Sequence, residues 1–221
     1  MLISYLLVFW ISLSGLFKDD VPEFKGGSKR LNDFVSQSLI YPEYSKQNCL
    51  QGTVQVSFRL TKSGKIFSSR IQKGFGLDLD DEALRIVRLT SGRWIVPPTF
   101  DTTQAIVIPI NFSLKEYNCE NSSPDDLKEA IASYKAREDL TKAIFNFYDK
   151  KNTSNYTASD EAKIHELKAQ LGYDERFLNR LLKQAQQKLK QGDKDGACDD
   201  FTFIKRLGSD KAAKYISSSC Q

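Results

Sequence analysis

The sequence is poor in the residues that most catalytic chemistry requires. His165 is its one histidine. A Ser-His-Asp arrangement would have to be built on it, and no G-x-S-x-G nucleophile motif occurs. The four cysteines contain no C-x-x-C pair, so neither a zinc site nor a thioredoxin-type redox centre is indicated. Ser63-Gly64-Lys65 lacks the earlier glycine of a phosphate loop, and Gly74-x-Gly76 lacks the rest of a dinucleotide fingerprint. Asp78, Asp80, Asp81 and Glu82 suggest calcium less well than they suggest acids at the positive end of a helix. No block of like charge stands out against a net charge of +4, which argues against nucleic-acid binding. Arg85 and Arg88 alternate with Asp80, Asp81 and Glu82, the pattern of a solvated mixed-charge surface. The expectation is a non-enzymatic protein without cofactor or metal.

Long apolar runs are also absent, with one exception. Residues 1–17 are almost wholly apolar and carry no charge before Lys18. As a helix the run would reach about 24 Å at about 1.5 Å per residue, short for a bilayer core of about 30 Å. It therefore reads as a signal peptide, with Ser12-Leu13-Ser14 as the cleavage region, or as a short anchor. Cys49, Cys119, Cys198 and Cys220 fit the same exported setting as two disulfides, and four cysteines allow three pairings.

What is present falls into two parts, residues 20–118 and residues 124–221. In the first, Gly26-Gly27 precedes a helix that Ser28 would cap, with Leu31, Phe34, Val35 and Leu39 on one face. Tyr41-Pro42 ends it. From Gly52 to Leu60 apolar and polar residues alternate: Val54, Val56, Phe58 and Leu60 against Thr53, Gln55, Ser57 and Arg59. A turn at Thr61–Lys65 leads to a returning strand, Ile66 to Lys73. A second helix, capped by Asp80 or Asp81, buries Ala83, Leu84 and Val87. Trp94-Ile95-Val96-Pro97-Pro98 reads as a rigid connector, with Trp94, Phe75 and Phe100 packed as core. A third strand runs from Gln104 to Leu114.

The helix between strands two and three makes those strands parallel, so the first strand lies antiparallel between them and the third at an edge. Pro109 agrees, because a strand proline is tolerated where its missing N–H would point to solvent. Val107, Pro109 and Asn111 should then carry the outward-facing backbone. That topology brings Cys49, before the first strand, beside Cys119, after the third. Cys198 and Cys220 flank a helical turn at Gly208 and should form the second bridge.

Beyond Asn121-Ser122-Ser123-Pro124 only helical patterns remain. Leu127, Ile131, Tyr134, Leu140, Ile144 and Phe147 mark one long helix or a broken pair. Asn152–Asn155 is a loop, and Ile164, Leu167 and Leu171 mark the next helix. Phe177, Leu178, Leu181, Leu182, Ala185 and Leu189 mark another, and Gly192-Asp193 turns into Ala197, Phe201 and Ile204. The fold class is α+β: a three-stranded antiparallel sheet with two helices, followed by an all-α helical domain.

An ordered set of short motifs carries a resemblance. Pro22-Glu23-Phe24-x-Gly26-Gly27, Tyr41-Pro42, Gln51-Gly52-Thr53-Val54-x-Val56-x-Phe58, Ser63-Gly64-Lys65, Asp81-Glu82-Ala83-Leu84, Trp94 and Pro109-Ile110-x-Phe112 fall in that order. Over residues 22–114 the chain resembles the C-terminal domain of the TonB energy-transducer family. The resemblance implies a periplasmic domain that adds a peptide from a partner, such as an outer-membrane transporter, to its edge strand. Carried onto this chain, the partner-binding residues are Ala105, Val107, Pro109 and Asn111. A transducer of that family has an anchor and a long proline-rich spacer. Here only Lys18 to Val21 separate the apolar run from Pro22, so a cell-envelope interaction module is the leading expectation and an anchored transducer the alternative. The segment Gly192-Asp193-x-x-Gly196-Ala197-Cys198-x-Asp200-Phe201 resembles the turn and second helix of a tetratricopeptide repeat.

Overall fold

The computed structural model describes residues 21–115, 119, 123–151, 153 and 156–220. The apolar run at residues 1–17 lies outside them, as does most of the Asn152–Asn155 loop.

The elements of the first half are β1 (Glu23–Phe24), α1 (Gly27–Ser38), α2 (Glu43–Gln47), β2 (Gly52–Leu60), β3 (Ile66–Lys73), α3 (Asp78–Leu89), β4 (Trp94–Ile95) and β5 (Ile106–Phe112). The main sheet has the order β3-β2-β5, with β2 antiparallel to both neighbours. The alternation in β2 is realised: Val54, Val56, Phe58 and Leu60 are fully buried. Ile110 and Phe112 of β5 join them, and Leu79, Ala83, Ile86 and Val87 of α3 cover this face of the sheet.

Four local expectations are corrected. Trp94-Ile95 is a strand rather than a connector: it pairs with Glu23-Phe24 in a separate two-stranded ribbon. A ladder so short has no periodicity, so it is invisible until both partners are known. Pro42 opens the short helix α2 as well as following α1. Ser28 is not the cap of α1. Gly26 takes that place at φ 94°, in the left-handed region that suits glycine, and no side chain caps the helix. Neither Asp80 nor Asp81 caps α3, whose N-cap is Leu77. Asp80 sits inside the first turn and reaches back to accept from the N–H groups of Phe75 (2.9 Å) and Gly76 (2.8 Å). A Cβ at Gly74 would collide with that carboxylate.

The second half is helical: α4 (Pro124–Lys150), α5 (Ala158–Gln170), α6 (Glu175–Lys190), α7 (Lys194–Arg206), a 3₁₀ turn at Asp210–Ala212 and α8 (Ala213–Ser219). Ser123 and Thr157 build reciprocal capping boxes with Asp126 and Asp160 that fix the starts of α4 and α5. Asp174 and Asp193 cap α6 and α7. Phe201, Ile204, Leu207, Ala185 and Ile144 form a second core. The long helix α4 serves both cores. Leu127, Ala130, Ile131 and Tyr134 pack on the first, and Ile144 lies in the second.

The structure pairs Cys49 with Cys119 and Cys198 with Cys220, with Cα–Cα distances of 5.4 and 5.6 Å. Cys49 ends α2 in the left-handed conformation at φ 52°, where glycine is usual. Its N–H bonds the Lys46 carbonyl and that of Leu50 bonds Ser45, the pattern that closes a helix C-terminus.

Candidate functional site

An edge strand offers a row of backbone donors and acceptors to any added strand. The main sheet has two edges, and they differ. Along β3, the pairing with β2 skips Gln72 between Lys73 and Ile71, and skips Phe67 between Ser68 and Ile66. Bulges of this kind bend a strand and interrupt its outer row of bonding groups. Along β5, by contrast, seven consecutive pairs run in unbroken register from Gly52↔Phe112 to Phe58↔Ile106. Among the described residues no strand lies on its other side.

The side chains of β5 divide as the alternation requires. Ile108, Ile110 and Phe112 point into the core, whereas Val107, Pro109 and Asn111 are exposed, as is Ala105 just before the strand. Pro109 stands opposite Gln55. Opposite pairs in an antiparallel ladder alternate between exchanging two hydrogen bonds and exchanging none. Pro109 has no N–H, so its pair must be of the second kind, and Val107↔Ser57 and Asn111↔Thr53 share it. The N–H groups of Val107 and Asn111 therefore face outward. The open side of β5 offers two donors, with the Pro109 carbonyl between them. Thr53 Oγ1 donates to Asn111 Oδ1 at 3.2 Å and steadies that side chain.

Both ends of β5 are fixed. Before it, Asp101 accepts from the N–H and hydroxyl of Thr103 (2.9 and 2.8 Å), and these bonds hold its carboxyl below the usual range. Lys62 Nζ donates to the carbonyls of Pro98 and Phe100, and the Phe100 ring is buried. After it, the Leu114 N–H donates to Gln51 Oε1 at 2.7 Å, and the Cys49–Cys119 bridge ties the exit to the start of β2. A pre-ordered edge of this kind loses little entropy when a strand is added. No Asp or Glu occurs in β2, β3 or β5, while Arg59 and Arg70 stand exposed in β2 and β3.

The other residues singled out by sequence have local work. His165 is exposed on α5, with Nε2 3.9 Å from Glu161. Gly64 closes the β2–β3 turn at φ 76°, and a Cβ there would strike the Trp94 carbonyl. Trp94 packs against Phe24 and Phe58 and donates from Nε1 to Thr90 Oγ1 at 2.9 Å. Asp78 accepts from the hydroxyl and N–H of Ser45, and burial pushes its carboxyl up.

One feature of the pattern misled. Glu82 and Arg85 are not part of a solvated surface: they are 5% and 8% exposed. Arg85 donates from Nε and Nη2 to both Glu82 oxygens at 2.7 Å, and from Nη2 to the Ser38 carbonyl at 2.6 Å. Its Nη1 reaches Gln191 Oε1 at 2.9 Å and Asp193 Oδ2 at 3.4 Å. Glu82 also accepts from the Ile40 N–H at 2.7 Å. Burial pushes the Glu82 carboxyl up. It works against the charge on Arg85 as well, but there the Glu82 and Asp193 carboxylates outweigh it and the guanidinium is held more firmly protonated. This cluster bolts α3 to the α6–α7 turn. Arg180 with Glu43 (3.0 Å) and the Tyr44 hydroxyl on the Ala130 carbonyl (2.8 Å) join the halves elsewhere. An i,i+3 Glu–Arg pair on an otherwise apolar helix face was the one hint available in the sequence.

Residues 37–114 match a family model described as Gram-negative bacterial TonB protein, C-terminal. The match covers α2, β2, β3, α3, β4 and β5 and ends just past the edge strand, so it supports the resemblance over that segment. Neither the curated proteins nor the solved structures contain a match to the chain. Among the described residues no helix is long and apolar enough to cross a membrane.

Proposed function

We propose that the protein is a non-catalytic interaction module of the cell envelope that captures an extended peptide from a protein partner by adding it to the outer edge of β5. The observation that carries this reading is the asymmetry of the sheet: β3 is broken by bulges, while β5 presents an unbroken, anchored edge. The match to the TonB C-terminal family supports the periplasmic setting and the protein partner. Ala105, Val107, Pro109 and Asn111 form the contact row. Val107 and Asn111 bond the incoming strand through both N–H and C=O, and Pro109 through its carbonyl alone. That gap at the centre limits pairing with arbitrary strands. The paired helices α6 and α7, turned at Gly192-Asp193, act as a single tetratricopeptide-like unit and offer a second surface.

A second reading follows from the same family match taken with the apolar run at residues 1–17. A retained anchor would make the chain a membrane-bound transducer that energises outer-membrane transport. The mass of the chain recovered from the envelope separates the two, since a mature start near Gly15 removes the anchor.

The test of the leading reading is capture of partners from envelope extracts by the intact, disulfide-bonded protein and by Val107→Pro/Asn111→Pro. Neither N–H is used within the sheet, so the double variant should keep its circular dichroism spectrum and lose the captured partner. Full capture by a folded double variant would place the partner elsewhere.

A further inference from the structure

The two halves enclose a cleft of about 1000 Å³, which no residue of β5 lines. This is the upper end of the range of small-molecule pockets, roughly 300–1,000 Å³. Its walls come from α2 and α3 on one side and from α4, α6 and α7 on the other. Two properties set it apart from the rest of the surface.

The first is charge. The chain as a whole is net positive at +4, yet among the described residues nine carboxylate side chains and six cationic ones line the cleft. The cations have partners. Arg85 is bonded to Glu82 and Lys188 to Asp200, Lys142 pairs with Asp139, Arg137 donates to the Leu171 carbonyl and Arg88 to Ser69. Asp81 from α3 and Glu138 from α4 both line the cleft, and both are exposed. Among the described residues neither forms an ion pair. Burial, then Asp80 and Glu138, push the Asp81 carboxyl up, against the longer-range pull of Arg88 and Lys188. Burial, then the carboxylates of Asp78, Glu138 and Asp81, likewise hold the Tyr134 hydroxyl above the ordinary phenol range.

The second is aromatic surface. Tyr134, Phe177 and Phe203 line the cleft and are only partly buried. The cleft already holds one cation on a ring: the Arg137 guanidinium lies 4.6 Å from the centre of Tyr173. Carboxylates beside aromatic faces are the combination that binds a guanidinium or ammonium group on an apolar stem.

We propose that this cleft binds an extended peptide through an arginine or lysine side chain set between Asp81 and Glu138 and against Tyr134, with Phe177 and Phe203 covering its aliphatic stem. A peptide is the occupant because the space far exceeds one side chain. The remaining walls also carry charges of both signs, which suit backbone carbonyls and N–H groups as well as the cation.

The test uses the intact protein and a fluorescent acetyl-Ala-Arg-Ala-Arg-Ala amide, read by anisotropy and by amide chemical shifts. We expect saturable binding with shifts on α3 and α4, and binding at least tenfold weaker when citrulline replaces arginine. Asp81→Asn/Glu138→Gln should also weaken it at least tenfold without lowering the melting temperature. If that variant folds poorly, Glu138→Gln alone, at an exposed position on α4, should weaken it severalfold. Equal binding of the glutamate counterpart peptide, undiminished binding by the variants, or shifts confined to β5 would overturn the proposal. Displacement of the peptide by spermidine at equal or lower concentration would overturn it too, by assigning the cleft to a free polyamine.

Discussion

At the scale of single residues, burial separates two kinds of charge in this protein. Asp126, Asp160 and Asp174 sit at helix starts, and their hydrogen bonds to backbone N–H groups hold them below the usual carboxylate range. Glu82 and Asp200, taken largely out of water, are pushed up by desolvation, which Arg85 and Lys188 respectively oppose most strongly. Arg85→Met should therefore be far more damaging than a surface substitution. Removing one partner of a buried pair costs on the order of 3–5 kcal/mol, and here the Ser38 carbonyl and Gln191 lose a donor as well. The variant should also carry a pH signature. Without Arg85, the folded-state pKa of Glu82 rises further above its ordinary value of 4.5. A raised carboxyl binds its proton more tightly in the fold, so the stability it confers is present below the unfolded value and lost as pH rises through the folded value. Urea denaturation at a series of pH values should show the deficit of Arg85→Met against wild type narrowing towards mild acid. A deficit constant with pH would mean that the Glu82 charge is not what the arginine holds.

Elements differ in how far local sequence could specify them. The alternation of Val54, Val56, Phe58 and Leu60 defined a strand, and the helix between strands two and three put it at the centre and the third strand at an edge, where Pro109 agrees. That antiparallel pairing of the first and third strands brought Cys49 beside Cys119. The β1–β4 ribbon was not legible, because two residues have no period and the pairing spans most of the first half. Nor was the Glu82–Arg85 cluster, whose other members, Ser38, Gln191 and Asp193, lie far away in sequence. The bulges at Phe67 and Gln72, which choose between the two edges, became visible only in the register. The bridges give predictions at this scale. Cys119→Ser opens a loop with a sequence separation of 70, worth about 4 kcal/mol in the chain-entropy model. It should also free the exit of β5, so guanidinium denaturation should show the loss and hydrogen exchange should show a frayed Ile110–Phe112. Cys198→Ser/Cys220→Ser opens a separation of 22, worth about 3 kcal/mol. Its exchange should rise first in α7 and α8. If α7 and α8 stay as protected as in wild type, that bridge does not hold the C-terminal helices in place.

The whole molecule places its two candidate surfaces apart. The helical half packs on α2 and α3, and among the described residues no strand pairs with the outer edge of β5. No residue of β5 lines the cleft, so a peptide added to that edge would leave the cleft available. If this edge is open in the free protein, amide hydrogen exchange across β5 will show it directly. Ile108, Ile110 and Phe112, whose N–H groups bond β2, should exchange slowly, and Val107 and Asn111 fast. Slow exchange at Val107 and Asn111 in the free protein would mean that the edge is already paired, and would contradict that expectation.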